Sequence, residues 1–130
     1  MIVLDASAAI DWLLQTAAGQ EIEKRIYSRK DSVHAPHLLD LEVVQVMRRM
    51  AREGTITTSR AEEAVGDLLD LRITRYPHPL FVPWIWQHRS NLSTYEACYV
   101  PLAEHLGATL ITRDHRLGSA AGHSAKIEVF

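Results

Sequence analysis

The 130-residue sequence contains a single cysteine, Cys98, and therefore has no internal disulfide. A lone cysteine fits a reducing compartment, so we expect a cytoplasmic protein. No apolar run reaches the roughly 18 residues that a membrane-spanning helix requires, which predicts no membrane association. The first residues lack a basic region, and Asp5 interrupts their apolar run, so we expect no signal peptide. A disulfide-stapled secreted scaffold and a transmembrane protein are both disfavoured.

The sequence also lacks an excess of positive charge. Its formal net charge is −2, so any binding to a polyanion must come from a local patch or a bound metal ion. Hydrophobic residues make up 47% of the chain, which argues against disorder. The length suits a single domain spanning residues 1–130 with a core of its own.

Apolar and amphipathic segments alternate along the chain. The strands are predicted over residues 1–5, 32–35, 73–76, 109–112 and 126–130. The helices are predicted over residues 7–14, 19–29, 37–53, 59–71, 93–106 and 114–120. Residues 77–91 contain three prolines and two tryptophans, which indicates a loop with a short helix. This alternation predicts an α/β fold with a central, mainly parallel sheet of about five strands flanked by helices.

Two apolar strands at opposite ends of the chain each lead into an aspartate. Met1-Ile2-Val3-Leu4 precedes Asp5, and Thr109-Leu110-Ile111-Thr112-Arg113 precedes Asp114. Ligands of open parallel sheets bind beyond the carboxyl ends of the strands, so we expect both carboxylates at the functional edge. Such acids repel each other unless a cation lies between them, and a divalent metal ion is the simplest candidate. Either aspartate could instead cap the helix that follows it.

Two glutamates are further candidates for this edge. Glu42 lies near the start of the long third helix, where the helix dipole favours a carboxylate, although a solvated helix face would also explain it. Ser93-Thr94-Tyr95-Glu96 matches a capping box, in which Glu96 reaches back to the Ser93 N–H. A carboxylate in that first turn can equally point toward the strand edge. Both alternatives remain open for each residue.

Four segments resemble the motifs of PIN-domain nucleases, particularly the VapC-type toxins of toxin–antitoxin systems. The similarity lies in Met1-Ile2-Val3-Leu4-Asp5-Ala6-Ser7-Ala8, Leu41-Glu42-Val43, the helix from Leu92 to Glu104, and Thr109 to Leu117. These segments occur in the family's order along nearly the whole chain. The resemblance implies a PIN-like α/β/α sandwich and a metal-dependent endoribonuclease.

The resemblance also implies the residues of the site. Asp5, Glu42, Glu96 and Asp114 would be the catalytic acids that bind metal. Oxygen ligands suit Mg²⁺ or Mn²⁺, and about two divalent ions would neutralise about four negative charges. Ser7 and Thr112 match polar positions beside the acids and would support them. Arg113 and Arg116 lie close to the acids in sequence and are candidates for contacts to the RNA backbone.

Two partners are implied by the resemblance, a VapB-like antitoxin that covers the site and a second copy of the chain in a homodimer. Two features depart from the family pattern, because Glu96 stands where aspartate is usual and Pro101 interrupts the same helix. A catalytically weak PIN-like scaffold that binds RNA or a partner is therefore the alternative. A receiver-type signalling domain fits less well, because Asp5 is followed by Ala6 and Ser7 rather than by the paired acids of that fold.

Overall fold

The computed structural model describes residues 1–130 and contains one five-stranded sheet. The strands are β1 (Ile2–Leu4), β2 (Val33–Pro36), β3 (Ile73–Tyr76), β4 (Thr109–Thr112) and β5 (Lys126–Val129). They lie in the spatial order β3-β2-β1-β4-β5, and every neighbouring pair is parallel. The predicted α/β/α architecture with a parallel sheet of five strands is confirmed.

Seven α-helices connect and cover the strands. They are α1 (Ala6–Leu14), α2 (Ala17–Arg29), α3 (Leu38–Glu53), α4 (Thr58–Asp70), α5 (Val82–Gln87), α6 (Glu96–Leu106) and α7 (His115–Gly118). A short 3₁₀ turn over His78–Leu80 precedes α5, so the predicted loop with a short helix is confirmed. None of the helices combines the length and apolar character needed to cross a membrane.

The central strand β1 is buried on both faces. Ile2, Val3 and Leu4 are each 0% exposed, as the continuous apolar run predicts. Leu110 and Ile111 of β4 are buried to the same extent. Helix α6 packs on β1, β2 and β4, whereas α1 packs against α2, α3 and α4. Because the faces of the central strands are covered, polar chemistry is confined to the ends of the strands.

The side chains that cap two helices fix where those helices begin. Helix α1 is capped by Asp5, whose carboxylate accepts from the Ala8 N–H at 2.9 Å, which is the helix-capping role given above as an alternative for Asp5. Helix α4 is capped by Thr57 and begins at Thr58, one residue before its predicted start. In both cases the observed cap has extended backbone angles, which place its side-chain oxygen over the free N–H groups of the first turn.

Two prolines lie inside regular elements that were predicted to end before them or bend at them. Pro36 is the last residue of β2 and pairs with Tyr76 of β3, so the predicted end of this strand at residue 35 is wrong by one residue. Helix α6 continues through Pro101, and its residues 97–103 are all buried. Helix α6 begins at Glu96 rather than at Ser93. Pro101 cannot donate the i→i−4 hydrogen bond of a regular helix, but the helix continues through it, and the buried residues around it keep α6 packed on the sheet.

Candidate active site

The carboxyl ends of β1 and β4 form one polar edge of the sheet. Leu4 pairs with Ile111, and the Asp5 N–H donates to the Ile111 carbonyl at 3.1 Å. This register places Asp5 beside Thr112 and beside the turn that leads to Asp114. The structure therefore brings together the two aspartates that lie more than 100 residues apart in the chain.

Asp5 is buried, with only 6% of the residue exposed. Its Oδ1 accepts from the Ser7 hydroxyl at 2.7 Å and from the Ala8 N–H at 2.9 Å, and its Oδ2 accepts from the Thr112 hydroxyl. Burial raises the Asp5 pKa above its ordinary value, and the charge of Asp114 acts in the same direction against these hydrogen bonds. A cation placed beside Asp5 would therefore stabilise the ionised form of its buried carboxylate.

Two hydroxyl groups connect Asp5 with the turn between β4 and α7. Ser7 Oγ accepts from the Arg113 N–H at 2.9 Å, and Thr112 Oγ1 accepts from the Asp114 N–H at 2.9 Å. Each hydroxyl thus receives one hydrogen bond from the turn and directs its own proton to Asp5. Both hydroxyls contact Asp5 directly, and their supporting role in a reaction stays a prediction.

Glu42 lies in the second turn of α3 and faces α6. The Tyr99 hydroxyl donates to Glu42 Oε2 at 3.1 Å, and Tyr99 is only 2% exposed. Burial raises the Glu42 pKa, and the charges of Asp5 and Glu96 raise it further, although the Tyr99 hydrogen bond opposes them. Burial also raises the pKa of Tyr99, and the neighbouring acids add to this effect. Glu42 is therefore half-buried against α6 rather than part of a solvated helix face.

Glu96 uses both of its carboxylate oxygens. Its Oε2 accepts from the Ser93 N–H at 3.2 Å, while the Glu96 N–H donates to Ser93 Oγ at 3.2 Å, so the predicted capping box is present. Its Oε1 lies 3.5 Å from Nη2 of Arg116. Glu96 therefore closes the turn that leads into α6 and also lies beside Arg116, so both alternatives describe part of its surroundings.

Asp114 also has two structural roles. Its Oδ1 accepts from the Arg116 N–H at 2.9 Å and caps α7, and its Oδ2 lies 3.3 Å from Nη2 of Arg116. Partial burial acts to raise the Asp114 pKa, but the hydrogen bonds and charge of Arg116 outweigh it and lower the pKa. Arg116 thus contacts both Asp114 and Glu96 through the same guanidinium nitrogen.

The acid quartet, Asp5, Glu42, Glu96 and Asp114, divides into two pairs. Asp5 and Glu42 form no salt bridge and receive hydrogen bonds from uncharged groups alone. Glu96 and Asp114 share Arg116. In this arrangement, no three of the chain's His, Cys, Asp and Glu side chains form a ready metal-binding group. The fold brings these four acids together against their mutual repulsion, and Arg116 neutralises part of their charge.

The two arginines predicted to contact RNA have different surroundings. Arg113 Nε donates to Asp11 Oδ2 at 2.7 Å, and Arg113 Nη1 donates to the carbonyl of Phe130. This guanidinium is therefore already hydrogen-bonded within the protein. The Arg116 side chain is 85% exposed and remains accessible to a phosphate. The contact of either arginine with RNA stays a prediction.

A groove of about 870 Å³ lies beside the quartet, between α1 and α3. Ser7 and Glu42 line its end nearest the acids, and Arg49 and Gln45 contribute further polar groups. Its apolar lining comes from Ala6, Ile10, Leu38, Leu41, Val46 and Tyr95. The groove therefore offers both polar and apolar groups beside the acid quartet.

Sequence reasoning missed Tyr99 and Asp11, which act on Glu42 and Arg113. For Tyr99 a signal was available, because Glu96 and Tyr99 are three residues apart on one helix and share a face. For Asp11 no local signal exists, since its partner Arg113 lies 102 residues away in sequence. Both contacts come from packing between elements.

Comparison with known proteins agrees with this geometry. The sequence profile of the PIN domain matches residues 2–122. Ribonuclease VapC12 of Mycobacterium tuberculosis is 40% identical over 129 residues, which are 99% of this chain and 98% of that protein. Ribonuclease VapC1 of the same organism is 37% identical over 98% of this chain and 96% of that protein. VapC ribonuclease Mb0985 of Mycobacterium bovis is 36% identical over 99% and 98% of the two chains.

Two solved structures share the fold. PAE2754 from Pyrobaculum aerophilum aligns with a TM-score of 0.72 and 22% identity, over 98% of this chain and 83% of that one. Mycobacterium tuberculosis VapC20, a sarcin–ricin loop cleaving toxin, aligns with a TM-score of 0.61 and 16% identity, over 95% and 97%. The profile match and the full-length relatives establish that the chain belongs to the PIN-domain family, among relatives named VapC ribonucleases.

Proposed function

We propose that this protein is a VapC-type endoribonuclease toxin that cleaves phosphodiester bonds in RNA. The observation that carries the proposal is the state of Asp5 and Glu42, two carboxylates withdrawn from water at the sheet edge without a cationic partner. Such groups are costly to keep in a fold and concentrate at functional sites. The ribonuclease names of relatives that are 34–40% identical support the same activity.

The acid quartet would hold Mg²⁺ or Mn²⁺, about two ions by charge balance. The donor chemistry fits, because every candidate ligand is a carboxylate and the adjacent polar groups are the hydroxyls of Ser7 and Thr112. Burial raises the pKa values of Asp5 and Glu42, other members of the quartet add to this effect, and a divalent cation would offset the cost of keeping both carboxylates ionised. When bound, such ions supply phosphate neutralisation and a more acidic attacking water.

The protein's own contribution is to position these groups. Ser7 and Thr112 hold Asp5 in one orientation, and the buried Tyr99 does the same for Glu42. Preorganised groups of this kind need little rearrangement when charge develops on the scissile phosphate. The exposed guanidinium of Arg116 would meet the RNA backbone beside the quartet.

The proposal is tested by incubating the purified protein with structured RNA in the presence of Mg²⁺ or Mn²⁺. We expect cleavage by the wild type and its loss in Glu42→Gln and Asp114→Asn, with EDTA abolishing it in the wild type. Asp67→Asn is the matched control, because Asp67 is an exposed acid on α4 outside the quartet. Equal cleavage by wild type, Glu42→Gln and Asp114→Asn would reject the site.

A catalytically weak scaffold that binds RNA or a partner is the second candidate. It is favoured by one observation, that Arg116 already neutralises part of the charge on Glu96 and Asp114. Titration with Mn²⁺ separates the two candidates, because the enzyme requires metal and the scaffold does not. Tight RNA binding without metal binding at millimolar concentration would favour the scaffold.

We further propose two protein partners, a VapB-like antitoxin and a second copy of the chain. The groove beside the quartet supports the first, since its wall residues Leu41 and Tyr95 are 70% and 65% exposed. Exposed Trp86 and Val82 on α5, at 68% and 55%, support the second. Light scattering of the isolated chain checks for a dimer, and co-purification with a neighbouring small gene product checks for the antitoxin.

A further inference from the structure

Arg116 has an unusual position among the charged residues of the site. Its Nη2 lies 3.3 Å from Asp114 Oδ2 and 3.5 Å from Glu96 Oε1, and its side chain is 85% exposed. Its Nε also donates to Asp114 Oδ1 at 3.4 Å. Arg113, three residues earlier and outside α7, has its guanidinium bound to Asp11 instead. Both ionic partners of Arg116 are therefore members of the acid quartet.

The structure around Arg116 makes this contact easy to break. Its backbone N–H caps α7 through Asp114, but this bond does not depend on the side chain. The guanidinium has no hydrogen bond to any residue other than Asp114. Exposed ion pairs at these distances are weak and yield readily to a competing charge.

We propose that Arg116 is an exchangeable counter-cation, which neutralises Asp114 and Glu96 in the metal-free protein and is displaced when a divalent ion binds. The inference rests on the proposed function, since it assumes that the quartet binds metal. It assigns Arg116 a role in setting metal affinity that precedes any contact with RNA. It also explains why two of the four acids lie in ion pairs while Asp5 and Glu42 do not.

The glutamate at position 96 fits this role. Its Oε2 closes the capping box with Ser93 while its Oε1 faces Arg116, so one carboxylate serves both contacts. Glu96 Oε1 can therefore exchange Arg116 for a metal ion while Oε2 keeps its hydrogen bond from the Ser93 N–H. The departure from the usual aspartate becomes part of the exchange rather than a defect of the site.

The test is the dissociation constant for Mn²⁺, measured without RNA by calorimetry and by loss of the free-Mn²⁺ resonance signal. We expect Arg116→Ala to bind Mn²⁺ about three- to tenfold more tightly than the wild type, because the competitor is gone. Arg116→Lys keeps the charge and should lie closer to the wild type. Arg72→Ala is the matched control, an exposed arginine at the start of β3, and should leave the constant unchanged.

The outcomes separate the inference from the proposed function. Equal Mn²⁺ affinity in wild type and Arg116→Ala, with binding lost in Asp114→Asn, overturns the inference and leaves the metal site standing. Weaker binding by Arg116→Ala also overturns it. No Mn²⁺ binding by any variant at millimolar concentration overturns both. Circular dichroism of Arg116→Ala checks that the fold is retained, which we expect because the side chain is exposed.

Discussion

Acids lie at both ends of the central sheet, but Asp31 at one end and Asp5 and Glu42 at the other differ in whether a cation pairs with them. At the amino end, Asp31 accepts from the Met1 ammonium group at 2.6 Å and from Arg25 at 2.6 Å, and Arg25 also pairs with Glu128 at 3.1 Å. Partial burial acts to raise the Asp31 pKa, but these two cations outweigh it and lower the pKa. Asp31 and Glu128 therefore each pair with at least one cation.

At the carboxyl end, Asp5 and Glu42 are withdrawn from water and have no cation. Their pKa values are raised, first by burial and then by the charges of other quartet members. The difference teaches that residue type does not decide the role of an acid. The ion pairs of Asp31 stabilise the fold, whereas Asp5 and Glu42, which are buried without a cation, cost stability and are suited to bind a metal ion.

The largest effect on cleavage is expected when one acid at the carboxyl end of the sheet is neutralised. We expect Asp5→Asn to reduce the rate of RNA cleavage by more than about 100-fold, because loss of even an indirect metal contact typically costs 10- to 100-fold. Asn retains an acceptor for the Ser7 hydroxyl and the Ala8 N–H but turns an NH2 donor toward the Thr112 hydroxyl, and removal of the buried charge offsets this loss, so thermal stability should not fall. Cleavage rate and melting temperature are measured on the same sample, and an unchanged rate would contradict the prediction.

A smaller effect is expected when the support of an acid is removed rather than the acid itself. Tyr99→Phe deletes the hydrogen bond to Glu42 while keeping the buried ring. We expect about a tenfold loss in kcat/KM, comparable to the loss of other supporting contacts around metal ligands. Tyr27→Phe, at an exposed tyrosine on α2, serves as the control. Similar kinetics for both variants would show that Tyr99 does not position Glu42.

At the amino end, removing a charge should change stability and leave cleavage intact. We expect Asp31→Asn to lower the free energy of unfolding by about 1 kcal/mol, because its two cations lose their shared partner. Urea unfolding measures the change, and the cleavage rate should equal that of the wild type. If Asp31→Asn reduced cleavage as strongly as Asp5→Asn, the two ends of the sheet would not differ in role.

The smallest effect concerns pH, measured in EDTA to remove metal ions. Asp31 has a lowered folded-state pKa, so its stabilisation is present above its unfolded value and disappears as the pH falls through the folded value. Asp5 has a raised pKa, so its ionisation destabilises the fold, and this cost disappears as the pH falls below its unfolded value.

We therefore expect the stability advantage of Asp5→Asn over the wild type to grow from about pH 4 to about pH 8. Asp31→Asn should show the opposite dependence, with a deficit that vanishes in acid. Urea unfolding of the three proteins across this range provides the measurement. A pH-independent difference between Asp5→Asn and the wild type would show that Asp5 does not carry a raised pKa.

Much of the architecture follows from local sequence. The apolar runs predicted β1, β3 and β4 to within a residue or two. The predicted ends of α3 and α6 at residues 53 and 106 are confirmed, and Gly54 and Gly107 adopt left-handed backbone angles at these C-caps, with φ of 75° and 61°. The errors fall at helix starts and at prolines, where several neighbouring residues could satisfy the same rule and packing selects one of them.

The chain order of the four acids, their approach to one sheet edge and the family to which the chain belongs were accessible from sequence. Strand periodicity and parallel topology place Asp5 and Asp114 at carboxyl ends whatever the details of packing. Only the tertiary structure decided how each acid is satisfied. Tyr99 reaches Glu42 across two helices and Arg116 joins Glu96 to Asp114, because the energy of a carboxylate depends on burial and on neighbours remote in sequence.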